Sequence, residues 1–179
     1  IADAGLDQVE CAGVTVLLDG SASQGASTYQ WEDGQGNVLG NGPTLSLDTL
    51  SEGVHVLLLT VSDGPCSATD TVQVTILARP VADAGLDQTV YVQGTVVLGG
   101  NPTGPPGSGF VWQPDSLLDQ AQASNPSAFV NTTTWFVLTV TAPDGCVNTD
   151  SVLISVEPQV KVPSGFSPNG DGHNDVWQL

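Results

Sequence analysis

The chain has 179 residues, 40% of them hydrophobic, and its 19 Asp and Glu face only two basic residues, Arg79 and Lys161, for a formal net charge of -17. That balance excludes nucleic-acid binding through phosphates, because almost no cation is available to displace counterions. No run approaches the roughly 18–20 apolar residues of a membrane span, so membrane insertion is not expected, and the apolar content is too high for a disordered chain.

In chain order, residues 2–8 read ADAGLDQ and are followed by β-branched and alternating runs at 14–18, 28–32, 44–47, 54–62 and 71–77. Gly, Pro, Asn, Asp and Ser punctuate these runs, which predicts short strands rather than helices. ADAGLDQ returns at 82–88, and runs at 95–98, 109–113, 127–130, 134–141 and 151–156 follow it. The far ends match at the same 80-residue offset, Cys66-Ser67-Ala68-Thr69-Asp70-Thr71-Val72 against Cys146-Val147-Asn148-Thr149-Asp150-Ser151-Val152. A duplication of this length, with five to seven strands per copy, predicts an all-β chain of two tandem immunoglobulin-like β-sandwich domains. Repeat 1 covers 1–79, repeat 2 covers 80–157, and a short extended segment covers 158–179. Trp31 and Trp112 each sit mid-strand and are the inward anchors expected of such cores. The linkers at 78–80 and 157–158 contain Pro, which restricts the hinge and predicts a semi-rigid tandem.

ADAGLDQ followed by VTVLLDGSAS, YQWEDGQG and VLLLTVSDG closely resembles polycystic kidney disease (PKD) type repeats, immunoglobulin-like modules of secreted bacterial proteins. The second copy, with FVWQP at 110–114, SNP at 124–126 and TTTWFVLTVT at 132–141, looks like a related variant. Repeat 1 has Trp31-Glu32-Asp33-Gly34 where that family shows WDFGDG, and repeat 2 lacks it, so the resemblance implies the fold more firmly than a shared ligand. Residues 163–177, PSGFSPNGDGHNDVW, closely resemble the start of the gliding-motility-associated C-terminal domain, the sorting signal of type IX secretion cargo. A complete domain of that family is several times longer, so 158–179 reads as a truncated sorting segment, and Ile1-Ala2-Asp3 reads as the middle of a mature protein. These resemblances imply an extracellular or cell-surface protein.

Cys11 and Cys66 lie near the two ends of repeat 1, and a bridge between them would close a 55-position loop, worth about 4 kcal/mol in the chain-entropy model. The alternative is two reduced thiols packed as small hydrophobes. Cys146 matches Cys66, but Tyr91 stands where repeat 2 would need a second cysteine, so Cys146 is expected to be unpaired within its own domain.

Residues 167–175 carry oxygen-bearing side chains around glycines, as calcium loops do, and Asn169, Asp171 and Asp175 are the ligands such a loop would use. A plain Asx-glycine turn explains the same residues. Asp3, Asp7, Asp83 and Asp87 recur with the repeat; they suit calcium at each domain entry or, more simply, capping of local backbone donors. No cofactor is required, and calcium is the one ion the pattern would admit. His55 and His173 stand apart from any nucleophile motif or zinc spacing, which argues against an enzyme. Four sites read Asp, then Ser or Thr, then an aliphatic residue. They resemble the O-glycosylation motif of type IX secreting bacteria and make Thr49, Thr71, Ser116 and Ser151 candidate acceptors. Chance in a chain of this composition is the alternative. Asn131-Thr132-Thr133 is formally an N-glycosylation sequon.

The expected function is a non-catalytic structural or adhesive module, a surface stalk, adhesin segment or filament subunit of a type IX secreting bacterium. Val176, Trp177 and Leu179 form a candidate donor strand that would add to a sheet edge of another copy and build fibres. Surface polysaccharide and cell-surface proteins are the other expected partners. The alternative is an accessory carbohydrate-binding module of a larger secreted enzyme, with Trp135 or Trp177 stacking on sugar rings.

Overall fold

The computed structural model describes residues 1–159. The chain divides between Arg79 and Pro80 into two compact units. The first contains β1 (Gln8–Cys11), β2 (Val16–Asp19), β3 (Thr28–Glu32), β4 (Val38–Gly40), β5 (Thr44–Leu47), β6 (Gly53–Asp63) and β7 (Cys66–Leu77). Five of these form one sheet in the order β1-β7-β6-β3-β4, and β2 pairs with β5 in a second. All pairings are antiparallel except that of β1, which runs parallel to β7 with Gln8 beside Val74 and Cys11 beside Leu77.

The second unit repeats the plan with β8 (Gln88–Tyr91), β9 (Gly94–Val97), β10 (Gly109–Gln113), β11 (Ser127–Val130), β12 (Thr134–Thr141) and β13 (Val147–Glu157). Its sheets run β10-β12-β13-β8 and β11-β9, and β8 is again parallel to the last strand. One element differs. β3 in the first unit carries β4 on its outer edge, whereas among the described residues β10 in the second carries no further strand there. Both units are immunoglobulin-like β-sandwiches. In each, the last two strands and the third lie in one sheet, the second strand pairs with β5 in the first unit and with β11 in the second to form the other, and a tryptophan is buried on the third.

Strand alternation explains the cores. β2 buries Val16 and Leu18 while Leu17 faces out, and β6 buries Leu57, Leu59 and Val61 at every second position. These pack with Trp31, Val72, Val74 and Ile76 into one apolar cluster. Leu98, Trp112, Val130, Phe136, Leu138 and Ile154 build its counterpart in the second unit. Each indole is fully buried and donates its N–H to a carbonyl 11 residues ahead, Trp31 to Gly42 at 3.0 Å and Trp112 to Ala123 at 3.1 Å. The polar end of each ring is thereby satisfied inside the core. Gly20 makes room for this packing: a Cβ there would stand 2.6 Å from Leu59 Cδ2 and 3.1 Å from Trp31 Cζ2.

Candidate functional site

The repeated ADAGLDQ segment is a strap that runs alongside the last strand of each sandwich, Ala4 to Gln8 beside Asp70 to Val74 in the first unit. In the first unit Asp3 Oδ1 accepts the Gly5 amide at 3.0 Å, and Asp7 Oδ1 accepts the Gln73 amide of β7 at 2.9 Å. Asp70 Oδ2, on β7, accepts the Ala4 amide at 2.8 Å, and Ala4 is buried. Gln8, on β1, donates its side-chain amide to the Leu17 carbonyl of β2 at 3.0 Å and so links the two sheets. The second unit reproduces each contact at 2.8–3.1 Å. There Asp83 accepts from Gly85, Asp87 from Leu153 and Asp150 from Ala84, and the Gln88 side chain donates to the Val97 carbonyl. The recurrent carboxylates therefore engage backbone amides, as charge-assisted acceptors for donors that would otherwise be orphaned.

Two further carboxylates shape turns. Asp33 accepts the Asn37 side-chain amide at 2.8 Å and the backbone amides of Asn37 and Gln35 at 2.8 and 2.9 Å. The Asn37 side-chain bond is the main reason its pKa lies below the ordinary aspartate value. Asp19 is lowered in the same direction by Ser21, through its side chain first and its amide second. Among the described residues no group of three or more His, Cys, Asp and Glu comes together as a metal would require. No helix among them is long and apolar enough to cross a membrane.

The cysteines overturn the expected pairing. Cys66 is a free, exposed thiol, whereas Cys11 and Cys146 are each disulfide-bonded. The register gives the reason. Cys11 pairs with Leu77, at the far end of the 12-residue strand that Cys66 opens. At ~3.3 Å per residue the two lie roughly 35 Å apart along β7, against the roughly 4–7 Å between Cα atoms that a disulfide permits. The single thiol thus belongs to Cys66, and Cys146, the one cysteine of the second unit, is disulfide-bonded although its own domain holds no second cysteine.

All five candidate glycan acceptors, Thr49, Thr71, Ser116, Ser151 and Asn131, are exposed. Thr71 and Ser151 follow the clamp residues Asp70 and Asp150 and point from the opposite face of their strands. Asn169, Asp171, Asp175, Val176, Trp177 and Leu179 lie outside the described residues.

Of the described tryptophans, Trp31 and Trp112 are buried and Trp135 is 55% exposed. Trp135 borders a cleft of about 580 Å³ whose other walls include Val111, Gln113, Pro114, Asp115 and Gln122. The exposed ring was readable from the alternation of β12. Of its polar neighbours, Gln113 ends β10, whereas Asp115 and Gln122 come from a turn and a loop that no sequence period marks.

No protein-family model and no curated protein matches the chain. Among solved structures it is similar to the insect immune protein hemolin at 14% identity and a TM-score of 0.48, over 87% of this chain and 46% of that one. A three-domain immunoglobulin fragment of titin matches at 12% identity and a TM-score of 0.42, over 88% of this chain and 65% of that one. Extracellular domains of Drosophila OTK match at 16% identity and a TM-score of 0.42, over 88% of this chain and 62% of that one. The chain thus spans less than half of the hemolin chain.

Proposed function

We propose that this chain is a non-catalytic, extracellular structural or adhesive module of a type IX secreting bacterium, built from two PKD-type repeats. The observation that carries the reading is the duplicated strap. Six carboxylates that recur at an 80-residue interval each hold a backbone amide of their own sandwich. Residues kept in register by the duplication therefore serve the core. The disulfide-bonded state of Cys11 and Cys146 supports an oxidising, extracellular setting. The resemblance of residues 163–177 to a sorting signal supports export by the type IX route, and the exposure of Thr49, Thr71, Ser116 and Ser151 supports their role as O-glycan acceptors.

Self-association by strand addition belongs to the same reading, with residues 175–179 as donor. The edge of β10 lacks, among the described residues, the strand that β4 supplies to β3, and although its Trp112 amide donates to the Ala121 carbonyl at 2.8 Å, the missing strand supports it as the acceptor. Electron microscopy of the 179-residue chain at increasing concentration, beside a Val176→Asp/Trp177→Asp double variant, is the test. Filaments from the parent and isolated particles from the variant are expected. Isolated particles from both at every concentration would contradict fibre formation.

A further inference from the structure

β12 alternates strictly, burying Phe136, Leu138 and Val140 and turning Trp135 and Val137 outward. β10 covers β12 only as far as the pair Gln113 and Val137. The next residue is Pro114, which has no N–H to continue a ladder, and the chain turns away into a 3-10 turn, Asp115–Leu117. No strand residue of β10 stands opposite Trp135. The indole is left as one wall of the cleft of about 580 Å³, within the size range of small-molecule sites.

The other walls are polar in a particular way. Gln113, Gln122 and Asp115 are all exposed, and among the described residues their side chains make no hydrogen bond. Gln8 and Gln88, by contrast, are tied to the carbonyls of Leu17 and Val97. Two free amides supply both donors and acceptors, and the carboxylate adds acceptors, around one flat apolar ring. A pyranose ring is the complement of that set, with an apolar C–H face for the indole and hydroxyls, each both donor and acceptor, for the amides and carboxylate. Asp115 and the net charge of -17 disfavour uronate, sulfate and phosphate groups. A proline-rich peptide docks across a groove lined with several aromatic rings, whereas among the described residues Trp135 is the one exposed ring on this cleft and Trp112 beneath it is fully buried.

The geometry points to a binding site for an uncharged pyranosyl glycan on this outer sheet face of the second unit, with Trp135 as the stacking platform and Gln113, Gln122 and Asp115 as hydroxyl partners. This would let the module hold a polysaccharide, independently of whether it also forms fibres.

The test is titration calorimetry of the whole chain with cello-, xylo-, laminari- and manno-oligosaccharides, and with oligoproline as the competing class. Binding of at least one sugar is expected, weakened about tenfold or more by Trp135→Ala and severalfold by Gln122→Ala, and unchanged by Trp177→Ala. Because Trp135 is half exposed, Trp135→Ala should keep the parent thermal midpoint, which separates lost binding from lost folding. The proposal is overturned if none of the four sugars binds at millimolar concentration. It is equally overturned if Trp135→Ala, folded, binds as the parent does, or if oligoproline binds more tightly than every sugar.

Discussion

Asp70 Oδ2 accepts the amide of Ala4 at 2.8 Å, joining the last strand of the first sandwich to a segment 66 residues earlier in the chain. The same bond at the same distance and separation joins Asp150 to Ala84. Each amide belongs to a buried alanine, so water cannot easily replace the carboxylate.

Removing the acceptor strands the donor. Asp70→Ala and Asp150→Ala should each cost about 1–3 kcal/mol, the penalty of an unsatisfied buried amide. Asn, which keeps an acceptor oxygen but not the charge, should cost less. Urea unfolding midpoints at neutral pH measure both.

Gly20 is filled space for any other residue. Gly20→Ala places a methyl group against Leu59 and Trp31, and overpacking of this kind costs about 1–3 kcal/mol. Thermal unfolding should show the loss, and a Gly20→Ala/Leu59→Val double variant should recover part of it, because the two side chains share one site.

Asp33 makes the turn after β3 sensitive to acid. Its pKa is lowered in the fold, so the charged form and its bonds to Asn37 and Gln35 stabilise the turn above the ordinary aspartate range, and that contribution is lost as pH falls through the lowered value. The Asn37 side-chain amide signals should shift in that acid window in nuclear magnetic resonance spectra, and Asp33→Asn should abolish the step.

Thiol titration distinguishes the observed cysteine states from a Cys11 to Cys66 bridge. One thiol per native, unreduced chain should react with a thiol reagent, and Cys66→Ser should remove that reactivity without changing stability, since Cys66 is exposed at the start of β7.

Much of the fold was legible because it rests on local periods. The bounds of β3, β5, β10, β11 and β12 agree with the alternating runs, and Trp31 and Trp112 are buried as their mid-strand positions imply. β1 and β8 were not legible. Gln-Val-Glu-Cys and Gln-Thr-Val-Tyr are short and only half buried, and what places them is the carboxylate of Asp7 or Asp87 on an amide 66 residues away. β4 escaped for a related reason: it has three residues and pairs with β3 across an irregular register at Trp31 and Glu32. β7 and β13 begin earlier than their apolar runs because their first, mostly polar residues are held by hairpin pairing, Asp63 with Cys66 and Thr141 with Val147. Cysteine pairing could not be read from spacing, since it depends on which end of β7 lies beside β1. The partners of Trp135 were hidden because Pro114 and the loop at 121–122 meet the ring only in three dimensions.

Amide hydrogen exchange at Ala4, Gln73, Ala84 and Leu153, measured in a chelator, bears most directly on the claim that the repeated acids hold two sandwich cores rather than an ion. Protection should persist in chelator, with Asp70→Ala releasing Ala4 alone and Asp150→Ala releasing Ala84 alone. Loss of protection in the parent chain on adding chelator, or release of both alanines by either substitution, would contradict it.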